Sequence, residues 1–341
     1  MRHVSQTQKE QKEQLVGAPE PTETLGRTRA GGQVLSLLAR PLNCLVVQAL
    51  GRRPMRLGDL LRELGGPSQT TLRGRLTDLV ALGVVAKRGG GMPYAVENEL
   101  TDTGRDLLQV VDALAAWLSQ APAGPIPLGS VAAKGAIKAL VGGWESTMLR
   151  AFAARPLSLT QLDRLIVPLS YPALERRLSA LRATGLVEPV PNGARAPYGV
   201  SRWGREAVGP ISAAARFERI HMSETAARLT PIDVEAAFLL ATPIARLPRQ
   251  TDGFCQLAAE TDREAQRLAG VNVAVDRGTV VECVARLDPV PRNRALGDAG
   301  AWLHAVVLRD PSPLRISGDE DLSRRLVLGV HDALFSANGA G

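Results

Sequence analysis

Residues 57–85 read LGDLLRELGGPSQTTLRGRLTDLVALGVV, and the spacing of leucine, glycine and serine in this stretch decides the fold. Its first part, from about Leu57 to Leu64, is a short helix that Gly65-Gly66-Pro67 breaks. Ser68 has the side chain of an N-cap, and Leu72, Leu76 and Leu79 recur at i, i+4 and i+7, so a longer helix follows with one buried stripe. Gly83 ends it. Upstream, Leu42 to Leu50 is an apolar helix. Downstream, Val84-Val85-Ala86 and the segment around Tyr94 to Leu100 flank the basic turn Lys87-Arg88-Gly89-Gly90-Gly91 and read as a two-stranded ribbon. From Thr103 a further helix runs to about Leu118.

Helix, helix, tight turn, helix and hairpin is the order of a winged helix-turn-helix, in which one helix braces a second whose outer face enters the major groove. The alternative is a helical domain whose ribbon serves dimerisation only. The same pattern occurs twice. Sliding the chain on itself by 102 residues places Arg53-Pro54 on Arg155-Pro156, and Leu57, Leu60 and Arg62 on Leu159, Leu162 and Arg164. Ser68, Leu72, Arg75, Leu76, Leu79, Ala81, Gly83 and Val85 fall on Ser170, Leu174, Arg177, Leu178, Leu181, Ala183, Gly185 and Val187. These are 13 identities in the 33 positions from Arg53 to Val85, where unrelated segments give about two or three. Further on the offset is 100, with Gly104-Arg105 on Gly204-Arg205, so the loop between the blocks differs in length.

Leu42 to Leu118 resembles the HxlR-type winged-helix regulators of bacteria. The resemblance rests on Leu57-Gly58-Asp59-Leu60, Ser68-Gln69, Arg75-Leu76, Leu79 with Gly83-Val84-Val85, and Leu100-Thr101-Asp102-Thr103-Gly104-Arg105. The second copy keeps Trp144, Leu159, Leu162, Ser170, Arg177-Leu178, Gly185-Leu186-Val187 and Tyr198-Gly199-Val200-Ser201 before Gly204-Arg205. The resemblance implies double-stranded DNA as partner and transcriptional regulation as function. Such regulators usually pair two single-domain chains, whereas here both copies lie on one polypeptide.

With Leu72, Leu76 and Leu79 inward, Thr70, Arg73, Gly74 and Thr77 face outward and Arg75 lies on a flank. Gln69 and Arg73 suit bidentate contacts to adenine and guanine, and Gly74 permits close backbone approach. In the second copy Pro172, Glu175, Arg176 and Ser179 face outward, with Tyr171 at the helix start. Glu175 repels phosphate, so this copy is the weaker or differently specific reader. Arg75 and Arg177 recur as phosphate contacts or as intramolecular ion pairs. Lys87, Arg88 and Arg195 sit in the wings, as backbone contacts or as solvated loop tips. The DNA-facing set is therefore Ser68, Gln69, Thr70, Arg73, Gly74, Arg75, Thr77, Lys87 and Arg88, with Tyr171, Arg176, Arg177 and Arg195.

Composition bounds the rest. The 341 residues, 45% hydrophobic and 22% charged, are ordinary for globular domains and long enough for more than one. Residues 1–224 carry net +9 and 225–341 net −2, so the polyanion-attracting character lies in the first two thirds. Three unpaired cysteines, four scattered histidines and no phosphate-cradling glycine loop or nucleophile elbow give neither disulfides, metal site, cofactor nor catalytic constellation. Cys44 reads as a core residue rather than a redox switch. No apolar run is long enough for a membrane helix and the N-terminus lacks a signal-peptide core, so a cytoplasmic protein without membrane partners is expected.

The expected organisation is mainly α with small β-wings: a disordered tail at 1–30, winged-helix domains at 31–119 and 131–222 joined by a Pro/Gly linker at 120–130, and an α+β unit at 223–341. In that unit Thr230-Pro231 opens a helix, Phe254 to Ala259 is a strand, Val271 to Leu287 a hairpin turning at Asp276-Arg277-Gly278, and Leu296–Leu308 and Asp319–Phe335 are helices. Gly297-Asp298 before Ala301-Trp302-Leu303, with Leu314-Arg315-Ile316-Ser317-Gly318-Asp319, makes the segment similar to sterol-carrier-protein-like domains. The resemblance implies an apolar cavity; Phe254, Trp302, Leu303, Val306, Leu322, Leu326 and Phe335 are its expected lining for a small hydrophobic ligand, a solid core being the alternative. The unit is then a sensor or a homodimerisation module. The rival overall reading is a lipid or hydrophobe carrier whose winged helices mediate protein contacts.

Overall fold

The structure, a computed structural model, describes residues 29–89, 96–141, 143–166, 169–191, 196–262 and 267–335, with the backbone alone at 143–146. The tail expectation for 1–30 falls almost wholly outside these residues, as do Arg195 and Gly90-Gly91 of the first wing.

Helix α1 (Gly32–Leu38) leads into α2 (Pro41–Arg52), which opens with Pro41 in the first turn, where the missing N–H costs nothing. After the short β1 (Met55–Arg56) come α3 (Leu57–Glu63) and α4 (Gln69–Ala81). Ser68 caps α4, its Oγ accepting from the Thr71 N–H at 3.2 Å, and Leu72, Leu76 and Leu79 are buried. Gly83 takes φ 69° and turns the chain into β2 (Val85–Arg88), which pairs with β3 (Glu97–Leu100). Strand β1 joins the other side of β3, so the expected ribbon is a three-stranded sheet. The helix expected from Thr103 is α5 (Asp102–Ser119), and its cap is Thr101. The Thr101 hydroxyl accepts from Gly104 N–H at 3.0 Å and donates to Gly83 O at 2.6 Å, tying helix to turn.

The succession then recurs: α6 (Val131–Val141), α7 (Gly143–Ala154), α8 (Leu159–Leu165), α9 (Tyr171–Ala183), β4 (Val187–Pro189), β5 (Tyr198–Val200), α10 (Arg202–Glu206) and α11 (Val208–His221). So do its bonds. Ser201 Oγ accepts from Gly204 N–H at 3.0 Å and donates to Gly185 O at 2.6 Å. Leu157 bridges Tyr198 as Met55 pairs with Asn98. Corresponding helices meet, α1 against α6 and α5 against α11, and one apolar core runs through both halves. At this seam the Trp117 and Trp203 rings stack with centroids 4.4 Å apart, and each indole N–H donates to the other residue's backbone carbonyl, at 2.9 and 2.8 Å. The connecting segment is packed down as well: Ile126 N–H donates to Leu118 O at 3.0 Å and Ala121 is buried.

The last unit begins with α12 (Pro231–Ala241), opened by a capping box between Thr230 and Asp233. Strands β6 (Gly253–Asp262), β7 (Arg267–Asp276), β8 (Thr279–Val284), β9 (Arg294–Asp298) and β10 (Arg315–Ser317) form a sheet of order β10-β9-β6-β7-β8, antiparallel except where β6 runs beside β9. Arg277 and Gly278, both with positive φ, make the two-residue hairpin turn that suits twisted strands. Cys255, Leu257, Val271 and Val273 project from one sheet face into a second core, with α12, α13 (Ala299–Leu308) and α14 (Glu320–Phe335). Leu296, expected in a helix, lies in β9; the helix starts only at Ala299 because Asp298 Oδ1 accepts the Ala301 N–H at 2.8 Å and caps it there. No single described helix is long and apolar enough to cross a membrane; the bent pair α1–α2 is together long and apolar enough, but its Val34, Leu35, Val46 and Val47 are core residues.

Candidate nucleic-acid interface

The buried stripe of α4 fixes what its other side presents. Gln69, Thr70, Arg73, Gly74 and Thr77 are all exposed, and the Thr77 hydroxyl donates back to Arg73 O at 3.0 Å. Ser68 is exposed too, but its oxygen is engaged as the cap and sits 2.7 Å from the Thr71 hydroxyl. Arg75 is half-buried and pairs with Asp78 at 3.1 Å; Asp78 also lies 3.8 Å from Arg40. Of its two expected roles, the intramolecular ion pair is the one the geometry displays. In the wing, Lys87 and Arg88 are exposed, and Arg88 reaches Glu99 across the hairpin at 3.4 Å. Among the described residues Arg73 and Lys87 have no ion pair, so their charges face solvent undiminished.

An exposed polar helix face with an unpaired arginine, flanked by a basic hairpin, is the arrangement a duplex accepts in its major groove and along its backbone. Residues 37–123 match the HxlR-like helix-turn-helix family. The HxlR-like segment spans α2 to α5 and the wing, and the family is one of DNA-binding transcription regulators. Among curated proteins nothing matches the chain.

Beyond the HxlR-like segment, α9 presents Tyr171, Pro172, Glu175, Arg176 and Ser179 to solvent, while Arg177 is half-buried as Arg75 is. Ser170, aligned with Ser68, makes no side-chain cap; Pro172 in the first turn lacks an N–H to bond. Arg182 lies over the Tyr198 ring, 5.2 Å from its centroid, bracing β5 against α9.

A second feature lies where the last unit meets α7 and α11: a cavity of about 190 Å³. Apart from Arg29, Arg150, Ser212 and Asp233, its walls are apolar. Of the seven expected lining residues, Trp302, Leu303 and Val306 are there. Leu322 and Leu326 are buried in the second core and are not among its walls. Phe335 stacks on His331 at 5.2 Å and packs toward the other core, and Phe254 is 73% exposed. Phe254 is excluded by strand parity: Cys255 and Leu257 point inward on β6, so their neighbour takes the opposite face. The sequence reading missed Phe238, Arg150 and Asp233. Arg150 on α7 pairs with Asp233 on α12; burial, and then nearby Arg29, press its pKa down to about 10. Only Thr230-Pro231 marked this helix start, and a short-range signal does not reveal a partner eighty residues away.

Proposed function

We propose that the protein is a sequence-specific DNA-binding transcription regulator carrying two winged helix-turn-helix heads, at 31–119 and 131–222, on one chain. In this reading 223–341 is a sterol-carrier-like sensing or assembly unit whose small hydrophobic ligand modulates operator affinity. The solvent-facing set Gln69, Thr70, Arg73, Gly74 and Thr77 on α4, inside the HxlR-like segment, carries the proposal. The second head is supported by the hydrogen bonds of Ser201 and Gly204, which repeat those of Thr101 and Gly104. Since the heads differ, one chain covers an imperfect palindrome with half-sites about one helical turn apart.

The test is binding of the full chain to DNA from upstream of its own gene, at two salt concentrations, with footprinting. Arg73→Ala weakens the preferred site by about 1–3 kcal/mol and relaxes its sequence preference, as loss of a base contact does. Lys87→Ala and Arg88→Ala weaken all sequences alike and flatten the salt dependence. Unchanged affinity in Arg73→Ala removes α4 as the reading helix. A footprint limited to one half-site removes the second head. Absence of DNA binding with retained hydrophobe binding favours the carrier reading, for which the cavity is the specific support.

A further inference from the structure

The cavity between the last unit and α7/α11 has a shape and a polarity that together specify an occupant. An apolar protein cavity of about 150 Å³ takes up benzene, so one of about 190 Å³ accepts a body somewhat larger than a single ring. Phe238 and Trp302 both line it and meet edge to face, centroids 4.8 Å apart and planes at 76°. Such rings present one face and one edge, the two surfaces on which a third aromatic ring packs. The polar groups are gathered: Arg150 pairs with Asp233 through Nη2, and Arg29 is close enough to depress the Arg150 pKa. A guanidinium has five N–H donors in a fork that matches a carboxylate.

We propose that this cavity binds a small aromatic carboxylic acid, its ring against Phe238 and Trp302 and its carboxylate on Arg150 at the end shared with Asp233. The acid occupies both sides of a joint. Arg150 belongs to α7 and Asp233 to α12, so a ligand carboxylate competes with an ion pair that spans the two units. Burial lowers the pKa of both Arg29 and Arg150, and an added anion at this end offsets that penalty. The proposal deepens the ligand part of the function proposed above and rests on it.

Its test uses no DNA, so failure here leaves the DNA-reading proposal standing. The full chain is titrated with naphthoate and with naphthalenemethanol, which keep the ring and differ in the charged end. The acid is expected to bind about tenfold tighter or better, as charge-assisted pairing gives. Nuclear Overhauser contacts from its ring protons are expected to the methyl groups of Val234, Val306 and Val330. Ala236→Leu, which fills the cavity, is expected to weaken naphthoate about tenfold while leaving the circular dichroism spectrum intact. Equal affinity for acid and alcohol, contacts to methyl groups elsewhere, or no naphthoate binding overturns the proposal. The contacts are read on the unaltered chain, so the result stands even where Ala236→Leu does not fold.

Discussion

Glu218 shows how one side chain fastens distant parts of the chain. From α11 its two carboxylate oxygens accept the Gly31 N–H at 2.7 Å and the Val34 N–H at 2.9 Å, satisfying the start of α1 from a helix that lies far along the chain. Burial raises its pKa above the ordinary 4.5, and the backbone donors pull it partly back. The folded chain therefore holds this proton where the unfolded chain has lost it. The contribution of Glu218 to stability is greatest below the ordinary glutamate range and declines as pH rises through the window up to its raised pKa. Glu218→Gln is expected to flatten that decline in denaturant melts taken across mildly acid pH. It also leaves one buried backbone N–H without an acceptor, which costs about 1–3 kcal/mol. Cys44 is the opposite kind of residue, closed to chemistry. Its thiol donates to Leu38 O at 3.0 Å and burial drives its pKa up to about 12. Iodoacetamide followed by mass spectrometry should leave Cys44 unmodified until the protein unfolds; fast alkylation of the native chain argues against its place in the core.

At the scale of elements, the junction of wing and following helix leaves no room for a side chain at the matching glycine in either half. A Cβ on Gly104 stands 2.2 Å from Val84 O, and one on Gly204 stands 2.4 Å from Leu186 O. The obstacle in each case is backbone, which cannot rotate away. Gly104→Ala and Gly204→Ala are each expected to lower stability by about 1–3 kcal/mol or more, read as a drop in melting temperature. What the sequence disclosed at this scale follows from range. The stripe Leu72–Leu76–Leu79, the Ser68 cap and the Gly83 stop are local signals, and α4 has the boundaries they imply. By contrast β1 exists only because Met55 and Arg56 pair with β3 some forty residues on, and α1 only because α11 caps and covers it. Phe254 was misplaced because the run from Phe254 to Ala259 is apolar at nearly every position, so alternation gives no parity. Arg75 was ambiguous although Asp78 stands three positions on, the spacing at which helix side chains meet. The candidate reading face was legible because exposure on an amphipathic helix is periodic; the cavity's polar end was not, because an ion pair between separate helices leaves no periodic trace.

Over the whole molecule, the proposed two-headed reading turns on how rigidly α4 and α9 are held with respect to each other, since two half-sites on DNA are read together only if both heads keep their spacing. The seam that holds them is made by corresponding helices, α1 with α6 and α5 with α11, and at its centre by Trp117 and Trp203. Each indole both stacks on the other and donates to its backbone carbonyl, so the pair resists sliding as well as separation. Trp117→Phe keeps an aromatic ring but removes the buried hydrogen bond to Trp203 O, at a cost of about 1–3 kcal/mol. Trp117 is itself buried at the seam, so the substitution alters neither the exposed face of α4 nor that of α9. Affinity for a single half-site should then stay as it is, while affinity for the full site falls because the second head docks from a loosened spacing and pays more orientational entropy. Gel-shift titrations with one-half-site and two-half-site duplexes separate the two effects. Equal losses on both would assign the stack to stability alone, whereas a loss confined to the full site makes the tryptophan seam the ruler that sets the distance between reading heads.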